Sequence, residues 1–150
     1  MLLLLSTRYD PRTLRITGRQ TMNSVLVVDD DADSREAVSR FLSKSGYVVR
    51  SAPNGRTALM SLLSIEPDVV ILDLRMPEMD GIQLLEVMRS YLRLSTLPTI
   101  VLSAYTEDAD VTERLKNLGV KHVFSKADYS LESLRNCVRQ LMADPKTDCG

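Results

Sequence analysis

The sequence predicts an α/β protein built on a parallel β-sheet. Short apolar runs alternate with segments whose apolar residues recur at helical spacing, and the alternation repeats five times between residues 24 and 143. The runs also stop in a telling way: Asp29 and Asp30 follow the first, Asp73 the third, Ser103 the fourth and Lys126 the fifth. In a parallel sheet these residues share the edge at the carboxyl ends of the strands, where open α/β sheets bind ligands.

At 150 residues, with 44% hydrophobic and 26% charged side chains, the chain suits one domain with a single core. Its net charge is −1, but the segment before Thr21 carries +3 from Arg8, Arg12, Arg15 and Arg19 against Asp10, leaving −4 on the remainder. A mildly acidic folded part argues against direct nucleic-acid binding. Cys137 and Cys149 are too few for a disulfide framework and lack zinc-site spacing, which suits a reducing cytosol. The apolar run Leu2 to Leu5 is too short for a secretion signal or a membrane span, so no membrane association is expected. Residues 1–22 read as an N-terminal extension, with Met22 an alternative start, residues 23–143 as the domain and 144–150 as a tail.

Ser24 to Val28 is the first strand. The helix after it is expected to start near Asp33 and Ser34, bury Ala37, Val38, Phe41 and Leu42, and stop at Gly46. Tyr47 to Ser51 is a second strand without a terminal acid, and Asn54-Gly55 opens a helix facing inward through Ala58, Leu59, Leu62 and Leu63. Asp68 to Asp73 is the third strand, four consecutive apolar residues between two acids. Asp80 caps the next helix, with Leu84, Leu85, Met88 and Leu92 as its inner face. Pro98 to Leu102 makes the fourth strand; Thr106 is expected to cap a polar helix with Ala109, Val111, Leu115 and Leu118 as contacts. Val120 to Phe124 is the fifth strand, and Ser130 caps a last helix carrying Leu131, Leu134, Val138 and Leu141.

The strand-end residues make chemical sense only as a set. Carboxylates about 4 Å apart repel by about 4 kcal/mol per pair at an effective dielectric near 20, a cost that a cation offsets. Oxygen-only ligands suit a hard divalent ion such as Mg2+, which keeps waters and leaves room for a phosphate. A hydroxyl and an ammonium beside it are partners for phosphate oxygens. The set therefore reads as a site that handles phosphoryl groups.

Val-Leu-Val-Val-Asp29-Asp30, Leu72-Asp73-Leu-Arg-Met-Pro77-Glu-Met-Asp80-Gly81, Leu102-Ser103-Ala104 and Ser125-Lys126 together resemble the receiver domain of bacterial two-component response regulators, of the chemotaxis-receiver type, over about residues 23 to 143. The resemblance implies a doubly wound, flavodoxin-like fold: a five-stranded parallel sheet in order 2-1-3-4-5 with five helices on its two faces. It implies that Asp73 accepts a phosphoryl group from a phosphohistidine of a histidine kinase or phosphotransfer protein. Asp30 and Asp73 would hold Mg2+ directly with the backbone carbonyl of Arg75, and Asp29 through water. Ser103 would bond one phosphoryl oxygen and Lys126 another. Such a protein is a cytoplasmic signalling switch that catalyses only its own phosphorylation and dephosphorylation and acts on a downstream protein target; a phosphorylation-dependent dimer is compatible with it.

The sequence departs from the family pattern in places. Ala127 follows the lysine where a cis-proline is common, and a cis bond there would cost about 2.5–4 kcal/mol, so a trans loop is expected. The usual switch aromatic is replaced by Val123, leaving Tyr105 and His122 as candidates, with His122 read first as a structural or surface histidine. Arg75 and Tyr105 occupy positions that tune hydrolysis in the family, and bulky groups there predict a long-lived aspartyl phosphate. Two other readings are weaker. A haloacid-dehalogenase-like phosphohydrolase needs a second acid where Arg75 stands, and a degenerate receiver kept as an interaction module would not need the acids, hydroxyl and lysine all present. With no helix-turn-helix or catalytic output domain after residue 143 in this sequence, a stand-alone switch is expected, the receiver portion of a longer regulator being the alternative.

Overall fold

A computed structural model describes residues 23–104 and 108–145. Five strands, β1 (Ser24–Val28), β2 (Val48–Ala52), β3 (Val69–Asp73), β4 (Thr99–Ser103) and β5 (His122–Ser125), form one sheet in the order β2-β1-β3-β4-β5. All four pairings are parallel, and Val28 lies beside Leu72, Asp73 beside Leu102 and Ser103 beside Ser125. This register brings the strand ends to one edge, as the sequence requires. The strand reversal between β1 and β3 opens the crevice there.

Five helices connect the strands: α1 (Ala32–Lys44), α2 (Gly55–Ser64), α3 (Gly81–Ser90), α4 (Ala109–Asn117) and α5 (Leu131–Ala143). Because the strands are covered on both faces, β1, β3 and β4 are buried almost throughout. One face packs Leu26, Val70, Leu72 and Val101 against Leu62 of α2, Leu84, Leu85 and Met88 of α3 and Leu115 of α4. The other packs Val25, Val27, Ile71 and Ile100 against Val38 and Leu42 of α1 and Leu134, Val138 and Leu141 of α5. Each such fully buried Leu, Ile or Val contributes roughly 1.5–3 kcal/mol by leaving water.

The helix ends follow local chemistry. Asn54 accepts from the Thr57 amide, Ser130 from the Ser133 amide, and Asp80 forms a capping box with Gln83. Gly46 and Gly119 stop α1 and α4 in the left-handed region, at φ 100° and 80°.

Several expectations are corrected. The cap of α1 is Asp31, two residues before Asp33, and that of α4 is Asp108, which accepts from the Asp110 and Val111 amides. Thr106, with Tyr105, lies outside the described residues, as do residues 1–22, Cys149 and the end of the tail. Ala37, Leu63 and Ala109 are exposed rather than inward-facing, because each sits at the rim of its helix stripe. Leu92 is 91% exposed: α3 ends at Ser90, and the tighter 3-10 turn Leu92–Leu94 changes the phase so that Leu94 is buried instead. Strands β2, β3 and β4 begin one residue later than expected and β5 begins at His122, since the ladder pairs only from there.

Arg89 of α3 closes the opposite edge of the sheet. Its guanidinium donates to the carbonyls of Leu118 at 2.8 Å and of Leu94 and Leu97 at 3.0 Å, satisfying the open ends of α4 and of the 3-10 turn.

Candidate functional site

The carboxyl ends of β1 and β3 bring three acids together. One carboxylate oxygen each from Asp29, Asp30 and Asp73 lies within 4.8 Å of the others. Asp29 and Asp73 are buried and Asp30 is exposed, so the cluster has a dry floor and a wet side. Lys126, from the loop after β5, places Nζ 2.9 Å from Asp29 Oδ2 and 3.3 Å from Asp73 Oδ2.

The backbone holds these groups tightly. Asp29 Oδ1 accepts from the Asp31 amide at 2.9 Å, Asp73 Oδ1 accepts from the Arg75 amide at 3.2 Å, and the Lys126 amide donates to the Ser103 carbonyl at 2.9 Å. After β3 the chain turns sharply into α3, with the Gly81 amide bonded to the Leu74 carbonyl at 2.9 Å. A Cβ at position 81 would stand 2.6 Å from the Asp73 carbonyl oxygen and 2.7 Å from Leu74 Cα, so this approach requires glycine.

Burial, and after it the charge of Asp29, pushes the Asp73 carboxyl up from 3.8 to about 6. Burial pulls the Lys126 ammonium down, but its hydrogen bond to Asp29 and the charges of Asp29 and Asp73 outweigh this and raise it. Three carboxylates against one ammonium leave an excess of two negative charges in an all-oxygen donor set, and a hard divalent cation such as Mg2+ fits that excess. The groups open into a cleft of about 590 Å³ lined by Asp30, Asp73, Arg75, Met76, Ala104 and Lys126 among others. That space admits a phosphoryl group with bound water.

Five of the six residues singled out from the sequence therefore meet: Asp29, Asp30, Asp73, Arg75 and Lys126. The sixth, Ser103, is buried at the end of β4 and lines an adjoining cavity of about 280 Å³ with Leu74, Arg75, Asp80 and Asp108. The two cavities share Leu74, Arg75 and Asp80. Arg75 is exposed. Val123 is 42% exposed on β5, whereas His122 is buried, which favours the structural over the surface placement. No described peptide bond is cis, so the Lys126–Ala127 bond is trans.

Sequence reasoning missed Arg35, whose Nη1 donates to the Asp29 carbonyl at 2.7 Å across the β1–α1 turn. A cation in the first turn of a helix opposes the macrodipole, and that misplacement was the available signal. It also missed Ser125, whose Oγ accepts from the Ala127 amide at 3.2 Å and shapes the lysine loop.

Fold and site together define a receiver module, and the chain belongs to the response regulator receiver domain family, whose pattern matches residues 25–139. Among its relatives, an uncharacterised 14.6 kDa protein of Leptolyngbya boryana is 36% identical over 121 residues, covering 81% of this chain and 92% of that one. The regulatory protein AtoC of Escherichia coli is 42% identical over 95 residues, covering 63% of this chain but 20% of its own length. The chain likewise spans 34% of a protein-glutamate methylesterase of Archaeoglobus fulgidus, at 38% identity over 121 residues and 79% of this chain. Among solved structures, the chemotaxis protein CheY4 of Vibrio cholerae superposes with a TM-score of 0.74 at 29% identity, covering 80% and 98% of the two chains. A response regulator receiver protein of Pseudomonas putida gives 0.75 at 30% identity, covering 81% and 98%. Receiver domains serve signalling by two-component systems, bind Mg2+ at an acidic cluster and interact with histidine kinases or phosphotransfer proteins. Among the described residues no helix is long and apolar enough to cross a membrane.

Proposed function

We propose that this chain is a phosphorylation switch in which Asp73 is the phosphoryl acceptor. The observation that carries the reading is the meeting of three carboxylates and the Lys126 ammonium at the sheet edge, with Nζ 2.9 and 3.3 Å from Asp29 and Asp73. An Asp73 carboxylate oxygen attacks the phosphorus of a phosphohistidine on a kinase or phosphotransfer protein. A P–O bond forms as the P–N bond breaks, and the electron pair leaves on the imidazole nitrogen. Asp30, Asp73 and the Arg75 carbonyl, with Asp29 through water, would hold Mg2+, whose charge would offset that of the phosphoryl oxygens.

Lys126 then has a second task. Once Asp73 is phosphorylated, as an acyl phosphate, it no longer carries a carboxylate charge, and the ammonium turns to a phosphoryl oxygen. The Ser103 hydroxyl reaches another, drawing the end of β4 toward the site and altering the surface of α4, β5 and α5 for a protein target. Arg75 hinders the water that would hydrolyse the acyl phosphate.

The test is incubation of the full chain with Mg2+ and acetyl phosphate, followed by intact mass measurement. Wild type gains one phosphoryl group and Asp73→Asn gains none. Equal uptake by both proteins would refute the Asp73 assignment, and no uptake by either would favour a constitutive interaction module.

A further inference from the structure

Asp29 and Asp30 are neighbours in the chain, and in an extended strand neighbouring side chains point to opposite faces. Yet one carboxylate oxygen of each lies within 4.8 Å of the other and of Asp73. The chain therefore turns at the peptide that joins them. That peptide is gripped from α1: Arg35 Nη1 donates to the Asp29 carbonyl at 2.7 Å, while the Arg35 amide donates to the Asp31 carbonyl at 2.9 Å. One residue thus closes the β1–α1 turn with both its side chain and its backbone.

The two acids are aimed by different means. The Asp29 amide donates to the Ala52 carbonyl at 3.2 Å, and its carboxylate accepts from the Asp31 amide and the Lys126 ammonium, each at 2.9 Å. Asp30 is exposed, and its carboxylate accepts no hydrogen bond among the described residues, so the backbone alone directs it. Because a peptide is planar, fixing the Asp29 carbonyl also fixes the nitrogen from which Asp30 departs.

We propose, on the reading of the acid cluster as a Mg2+ site, that Arg35 is a positioning residue for that site: by holding the Asp29 carbonyl it turns the Asp29–Asp30 peptide so that the Asp30 carboxylate faces Asp73. The charge of Arg35 works against both neighbours. A cation in the first turn of a helix opposes the macrodipole, and a cation beside a divalent ion repels it. What the residue contributes is a rigid fork of donors on a long stem, able to reach back from the helix to the backbone.

Geometry and charge predict opposite signs, so Mg2+ calorimetry on full chains separates them. Arg35→Met keeps an apolar stem and removes every donor; it weakens Mg2+ binding by about tenfold, as loss of a group that orients metal ligands does. Removal of the charge alone would tighten binding, and a merely structural arginine would lower the urea midpoint without moving the dissociation constant. Arg35→Lys keeps the charge and one donating group on a side chain one bond shorter, and falls between; it carries the comparison should Arg35→Met lack a cooperative urea transition. Arg40→Met, which removes an exposed α1 cation paired with Glu36, stays within about twofold.

A metal-free readout is the 13C resonance of the Asp30 carboxyl, which moves in both Arg35 variants and not in Arg40→Met. Mg2+ binding unchanged or tighter in the Arg35 variants would overturn the proposal, as would an unmoved Asp30 resonance. If wild type binds no Mg2+ while the Asp30 resonance still moves, the cation reading fails and the positioning of Asp30 by Arg35 stands.

Discussion

Replacing Asp73 by Asn tests the electrostatics of the site before any phosphorylation. In metal-free protein the Asp73 carboxyl is pushed from 3.8 to about 6, so its ionised form opposes folding. At about 1.4 kcal/mol per pK unit that shift corresponds to about 3 kcal/mol, and solvent screening at an open cleft reduces it to about 1–2 kcal/mol. Asn is isosteric and can still accept from the Arg75 amide. Asp73→Asn therefore stabilises the chelated protein by about 1–2 kcal/mol at pH 7.5. The sign with pH follows from linkage: a carboxyl whose folded pKa is raised costs most above about pH 6, and the cost fades as pH falls toward 3.8. The gap between variant and wild type should shrink by roughly half at pH 5. Mg2+ at ten times its dissociation constant then adds about 1.4 kcal/mol to wild type and far less to the variant. Urea titrations at pH 7.5 and 5.0, with chelator or Mg2+, measure all four quantities. A variant less stable than wild type in chelator at pH 7.5, or a gap that does not narrow at pH 5, would refute the reasoning.

Gly81→Ala sets a Cβ against backbone atoms at 2.6 and 2.7 Å and should cost about 1–3 kcal/mol by overpacking, despite the better helix propensity of Ala, read as a lower urea midpoint. Arg89→Met keeps the buried stem but removes the guanidinium bonds to three carbonyls, of which Leu94 alone keeps a backbone donor, the Leu97 amide, costing about 2–4 kcal/mol, with amide exchange rising first at the end of α4. Arg75→Asn should shorten the lifetime of the phosphorylated protein by about threefold or more by opening the path of the attacking water; unchanged decay of the label would count against that role for Arg75.

The sheet and the acid cluster were legible because both depend on strand ends, and a buried parallel strand announces itself as an unbroken apolar run such as Val69 to Leu72. Once the strands were aligned, Asp29, Asp73 and Lys126 had to meet. Residues set by the phase of a short turn were not legible: Leu92 looked like the next inner position of α3, and only the switch to a tighter turn exposes it. Arg35 and Ser125 were missed for a different reason. Each works by bonding a backbone group, six residues away for Arg35 and two for Ser125, and polar contacts of that kind leave no periodicity in a sequence.

Arg89 also decides the mechanics of α4. Its bond pins the Leu118 carbonyl at one end of the helix, while Asp108 at the other end lines the cavity that holds Ser103. The nine residues of α4 make a rod about 13 Å long, gripped by the core through Leu115 near the pinned end. A tilt of about 10° about that end would carry the other end, where Val111 packs at the edge of the core, roughly 2 Å. The lever arm is longest beside Ser103, where the switching force would be applied, so small displacements at the sheet edge would be spent on the outer surface of α4 rather than on the packing beneath it.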